Sequence, residues 1–174
     1  MWIDQIVDYE ADARLVAVKT VSLSEEHLHD HFPPETAADG SALEADPVMP
    51  SSLIIEGMAQ TAGVLVGSVN RFREKVVLAK VSQATIDADA RAGDTLRYDA
   101  RIDRIDAAGA VTRGTIELRR AREDAFAPVG TVDLMFSHLD QNLAGTEFPE
   151  ENFVFSENFR TILRAAGLEN LVEV

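Results

Sequence analysis

Two side chains in this sequence are of types that move protons near neutral pH, and a third feature can receive a developing negative charge. His31 opens an irregular stretch, and an imidazole is the ordinary side chain that titrates nearest neutrality. Glu56 sits in Ser51-Ser52-Leu53-Ile54-Ile55-Glu56-Gly57-Met58-Ala59-Gln60, a run that is otherwise mostly apolar. A carboxyl in such surroundings is expected to favour its neutral form, as a general acid requires. The free backbone amides at the start of that run, at Ser51 and Ser52, offer an oxyanion both donors and a helix dipole. Base, acid and anion site together suit removal of a proton beside a polarised carbonyl, with a hydroxyl leaving as water.

The elements that must position these groups are legible from periodicity. Residues Ile3 to Tyr9 and Arg14 to Val21 read as two short strands joined at Glu10-Ala11-Asp12. From Ser22 to Pro50 the periodicity fails, and Pro33-Pro34, Asp39-Gly40-Ser41 and Asp46-Pro47 punctuate a long loop carrying His31. Loops of that length are usually functional or disordered. The run from Ser51 to Val66 is too long for a strand and apolar on nearly every face, which predicts a buried central helix. Pro50 suits the first turn, and Ser51 and Ser52 are expected to cap it. Gly57, Gly63 and Gly67 weaken helicity and predict close approach of other backbone. Four strands follow, at Lys75 to Ala84, Thr95 to Ile105, Val111 to Arg119 and Gly130 to Ser137, separated by Ala92-Gly93-Asp94, Ala108-Gly109 and Ala127-Pro128. One helix between strand groups cannot make repeated βαβ units, so the expected class is α+β, an antiparallel sheet curled around the helix. Residues 138–174 differ in character: Asn142 to Asn152 read as loop, and Ser156 to Ala166 as an amphipathic helix docking through Phe159, Ile162 and Leu163 and stopped at Gly167. The chain thus reads as one domain over 1–137 with an extension over 138–174.

Composition narrows the function. Among 174 residues, 16 are basic and 30 acidic, a net charge of −14 that disfavours nucleic acid and anionic membranes as partners. The basic runs Arg71-Phe72-Arg73-Glu74-Lys75 and Arg119-Arg120-Ala121-Arg122 read as solvated faces. The absence of cysteine excludes disulfides, thiolate metal sites and a cysteine nucleophile. His27, His29 and His31 alternate, but no second ligand cluster accompanies them, so no metal site is expected; His138 reads as incidental. The first residues carry neither a basic segment nor an apolar run, and Leu53 to Val69 is short and interrupted for a bilayer span, so a soluble cytoplasmic protein is expected.

The runs Lys19-Thr20-Val21-Ser22, His31-Phe32-Pro33, Val48-Met49-Pro50 and Leu53 to Gln60 resemble the β-hydroxyacyl-acyl carrier protein dehydratases of bacterial fatty-acid synthesis, more weakly through Leu78-Ala79-Lys80 and Ala92-Gly93-Asp94. The resemblance implies a hot-dog fold and dehydration of a 3-hydroxyacyl thioester, carried by acyl carrier protein or coenzyme A, with no cofactor. It maps the catalytic pair onto His31 and Glu56. Phe32, Pro33, Met49, Pro50 and Gln60 are expected to support the pair, and Leu53 and Met58 to form core or acyl-tunnel wall. The resemblance also implies a homodimer with histidine and glutamate from different subunits, and dimers often gathered into hexamers.

The chain departs from that pattern in three places. Asp30 and Ser51 stand where the family usually has glycine, and residues 34–47 form an acidic insertion expected to be a mobile surface loop. Two other functions fit the same residues less well. A thioesterase would release thiol from a thioester lacking the 3-hydroxyl, and a non-catalytic acyl-binding or scaffolding homologue would bind without turnover.

Overall fold

The structure, a computed structural model, describes residues 1–138 and 157–171. The loop expected at 142–152 and Ser156 lie outside the described residues. Strands β1 (Gln5–Glu10) and β2 (Arg14–Thr20) open the chain. A one-turn helix α1 (His27–Asp30) and two short strands, β3 (Glu35–Thr36) and β4 (Ala42–Leu43), occupy the long loop. Helix α2 (Ser51–Val69) is followed by β5 (Val76–Ile86), β6 (Thr95–Asp106), β7 (Gly109–Arg119) and β8 (Ala127–His138), and then by α3 (Glu157–Ala165).

Six strands form one antiparallel sheet in the order β1-β2-β6-β7-β8-β5. The sheet wraps α2, which touches β2, β5, β6, β7 and β8, and this is the hot-dog arrangement. Helix α2 has the length and hydropathy of a membrane span, but 61% of its most apolar window is buried inside the fold. The tail helix α3 adds Phe159 and Leu163 to the same core and packs on β1.

The glycines of α2 are not equivalent. A Cβ at Gly57 would lie 2.4 Å from the Tyr98 hydroxyl and 2.8 Å from the Trp2 carbonyl oxygen, and one at Gly67 would lie 2.6 Å from the Phe72 ring. At Gly63 the nearest atom would be 3.7 Å away, on Phe136. The close approach at Gly57 is made by a tyrosine side chain as well as backbone. Burial pushes the Tyr98 phenol up, and its hydroxyl has no hydrogen-bond partner among the described residues.

Several expectations change. Ser51 and Ser52 do not cap α2; Pro50 occupies the cap position, and its carbonyl accepts from Leu53 and Ile54 at 2.9 and 3.3 Å. Ala127-Pro128 does not separate strands but begins β8, with Pro128 opposite Glu117 where the β7–β8 register shifts, a bulge that tolerates a residue without an amide hydrogen. The insertion folds as the exposed β3–β4 hairpin. His27 and His29 lie on a helical turn within the stretch read as a long loop. The second basic run is not simply solvated: the Arg119 guanidinium lies 5.2 Å from the Phe126 ring centroid, and Arg120 bonds Asp94 at 2.9 Å.

Overpacking costs about 1–3 kcal/mol and helical glycine about 1 kcal/mol relative to alanine. Gly57→Ala is therefore expected to destabilise the protein and Gly63→Ala to be neutral or stabilising. Urea denaturation of the two variants checks the opposite signs.

Candidate active site

Glu56 is placed by α2 and held by its neighbour one turn on. The Gln60 side-chain amide donates to Glu56 Oε1 at 3.0 Å, while Gln60 Oε1 accepts the Trp2 amide at 2.9 Å. The second bond fixes which end of the Gln60 amide faces Glu56, because only its oxygen can accept from Trp2. Glu56 is half-buried, and its Oε2 has no hydrogen-bond partner among the described residues.

Glu56, Gln60, Gly63 and Gly67 recur at helical spacing and line a cavity of about 320 Å³ along one stripe of α2. Val76 and Leu78 of β5 and Phe136 of β8 form its opposite side. Leu53 is half-buried and Met58 fully buried; neither lines this cavity. Met58 instead lies against the sheet, so close that a Cβ at Gly114 would be 2.3 Å from its sulfur.

His31 is held in a different way. Its Nδ1 lies 2.8 Å from the Val48 carbonyl oxygen. A carbonyl can only accept, so Nδ1 carries the hydrogen and the neutral ring presents Nε2 as its basic nitrogen. Val48 pairs with Arg91 in an isolated bridge, and the Met49 amide donates to Ala90 at 2.8 Å. The Arg91 guanidinium pairs with Asp46, whose amide returns to the Phe32 carbonyl at 3.0 Å. The Phe32 ring lies 4.2 Å from the His31 ring, centroid to centroid, and Phe32 takes φ 57°, a left-handed conformation. These contacts close a circuit around the imidazole. The Arg91 guanidinium also holds the exposed Asp46 carboxyl below its usual range. Behind α1, buried Lys19 bonds Glu25 Oε1 at 2.6 Å; burial opposes ionisation of Glu25, but Lys19 and the Ser22 amide outweigh it and lower its pKa.

The residues expected to act together are therefore only partly together within one chain. Pro33 and Asp30 are exposed beside His31, Met49 is buried, and His31 is not among the residues lining the Glu56 cavity. Ser51 and Ser52 are exposed in the first turn of α2, and their amides have no hydrogen-bond partner among the described residues. Asp46 and Arg91 were not expected to support His31; their partnership joins residues far apart in sequence and leaves no local pattern. His138, read as incidental to the chemistry, has a structural contact. It is buried at the end of β8, with Nδ1 3.2 Å from Glu74.

Comparison with known proteins accords with this architecture. Residues 1–123 match the model of the FabA-like domain. The 3-hydroxyacyl-(acyl-carrier-protein) dehydratase FabZ of Fusobacterium nucleatum is 34% identical over 105 residues, 59% of this chain and 65% of that protein's length. The protein of the same name from Clostridioides difficile is 30% identical over 129 residues, 74% of this chain and 75% of that one. Among solved structures, a dehydratase heterocomplex from Xenorhabdus doucetiae superposes with TM-score 0.58 at 18% identity, covering 81% of this chain and 84% of that one. An acyl-CoA hydrolase from Staphylococcus aureus gives 0.54 at 13% identity, covering 74% and 66%. The last two likenesses are of fold. With the family model spanning well over half of the sequence, the chain belongs to the FabA-like domain family.

Proposed function

We propose that the protein dehydrates a 3-hydroxyacyl thioester to the 2-enoyl thioester in cytoplasmic fatty-acid synthesis, with His31 and Glu56 as the proton-transfer pair. The observation that carries this reading is the 2.8 Å contact between His31 Nδ1 and the Val48 carbonyl, which ties up Nδ1 as a donor and leaves Nε2 to take the α-proton. As the α C–H bond breaks, charge moves onto the thioester oxygen, where the Ser51 and Ser52 amides at the start of α2 would receive it. The enolate-like electrons then form the double bond, the β C–O bond breaks, and Glu56 supplies the proton with which the hydroxyl leaves as water. Gln60 holds Glu56 Oε1, so Oε2 is the oxygen suited to carry that proton. The names of the FabZ relatives favour acyl carrier protein as the carrier. Exposed Arg71 and Arg73 offer a local basic face to such an acidic partner on an otherwise acidic protein. The S. aureus structure likewise accords with a thioester ligand, a coenzyme A ester in that case.

The reading includes a homodimer whose sites are shared. Its support is twofold: His31 does not line the cavity that Glu56 borders, and β5 ends the sheet as an exposed edge strand with Leu78 and Val81 about 40% exposed. An unpaired edge of that length and character invites a second strand.

Loss of a positioned acid or base costs about 10²–10⁴-fold. His31→Ala and Glu56→Gln are each expected to lose that much activity in hydration of a 2-enoyl thioester, followed by loss of enoyl absorbance. Activity surviving both changes overturns the assignment, and thiol release from a saturated acyl thioester would favour the thioesterase reading. Mixing the two inactive variants after subunit exchange is expected to restore roughly a quarter of wild-type activity, since half the dimers are then mixed and each has one intact site. No restoration in a mixture shown to exchange would place both groups in one subunit.

A further inference from the structure

The cavity beside Glu56 runs along α2 past Gly63 to Gly67, and its lining adds Phe72, Phe159 and a second carboxylate, Glu74, which pairs with His138. Gly67 lies eleven residues beyond Glu56, or about 16 Å along the helix axis. There the chain leaves α2 through Arg71 and Phe72, both in left-handed conformation, with the Phe72 amide donating to the Gly67 carbonyl at 2.8 Å. This turn lays the Phe72 ring back against Gly67. The Phe159 ring meets Phe72 edge-on, with centroids 6.4 Å apart and planes at 88°, and both rings line the cavity.

Phe159 comes from α3, beyond the residues matched by the family domain. We infer that Phe159 is a specificity-determining residue, the end wall that limits how long an acyl chain the Glu56 cavity accepts. The inference rests on the reading of that cavity as an acyl-thioester site and adds which residue closes it. Between Glu56 and the aromatic pair the helix presents Ala59, Gly63 and Val64, and the single methyl of Ala59 and the missing side chain of Gly63 leave room for a polymethylene chain lying along α2. Phe159 is 8% exposed, and Leu163, one turn further along α3, is fully buried in the core without lining the cavity. Leu163 therefore anchors the helix while Phe159 faces the space. An aromatic ring backed by a second ring and by the core is a stiff stop, so a chain too long for the cavity must displace it or bind bent. The C-terminal extension thus becomes part of the substrate site.

The test compares wild type, Phe159→Ala, Phe159→Trp and Leu163→Ala, each as the full chain. kcat/KM is measured on 2-enoyl coenzyme A thioesters of increasing length, and Kd on the matching saturated acyl coenzyme A series. Phe159→Ala is expected to raise the ratio of long-chain to short-chain kcat/KM by about tenfold or more, the scale of discrimination set by a few methylenes. Phe159→Trp is expected to move the preference to shorter chains. Leu163→Ala removes core packing from the same helix but keeps the ring, so it lowers the melting temperature and shifts the length profile less than Phe159→Ala does. An unchanged profile in Phe159→Ala, or a shift in Leu163→Ala as large or larger, overturns the inference. Absence of turnover in the wild type defeats the dehydratase reading alone, because the length limit is still read from Kd; absence of acyl binding at every length defeats both.

Discussion

A helix as apolar as α2 has to be covered on nearly every side, and a single curved sheet covers most of it but not all. Along the stripe that carries Glu56, Gln60, Gly63 and Gly67 a cavity remains between the helix and strands β5 and β8. Burial of Ile54, Met58, Leu65 and their neighbours fixes the rotation of the helix about its axis. That rotation decides where the carboxyl points. Gly57 contributes by letting Tyr98 and Trp2 press against the helix, and Trp2 in turn sets the Gln60 amide that holds Glu56. Core packing and the orientation of the proposed acid are consequently one problem with one solution.

The imidazole is positioned by a separate mechanism. No long element carries His31; a circuit of backbone contacts and one ion pair carries it, running through Val48, Arg91, Asp46 and Phe32. Part of that circuit belongs to the acidic insertion. A segment that looks like an appendage in sequence is thereby tied to the residue it adjoins, through the exposed Arg91–Asp46 pair. Because that pair is exposed, ionic strength weakens it more than it weakens the half-buried contacts around Glu56.

Much of this was readable from the sequence, for physical reasons that differ by element. The alternating residues of β6 and β7 and the continuous apolar run of α2 report burial directly, so their positions and types were legible. His31 and Glu56 stood out because each is of a reactive type in an unusual setting. Gln60 was legible as a local partner because one helical turn separates it from Glu56. Arg91, Asp46 and the Glu74–His138 contact were not, since each joins residues that only the tertiary fold brings together. Pro128 misled because a proline usually interrupts a strand, and only the opposing register shows the bulge that accommodates it. The Ser51 and Ser52 caps failed for a similar reason: Pro50 already occupies the cap position, and the chain geometry left the serines inside the first turn.

The strand order has a consequence for how the molecule assembles itself. The hairpins β6–β7 and β7–β8 join neighbours in sequence, whereas β2 must find β6, and β5 must find β8, across intervening chain. Loop-closure entropy favours the local meander as the first structure, with the opening hairpin and β5 added to its two sides afterwards. The bonds that aim His31 depend on Val48 meeting Arg91, which precedes β6, and the Glu56 cavity depends on β5 meeting β8. On that ordering the two parts of the site are completed after the meander, when chain segments more than forty residues apart have paired.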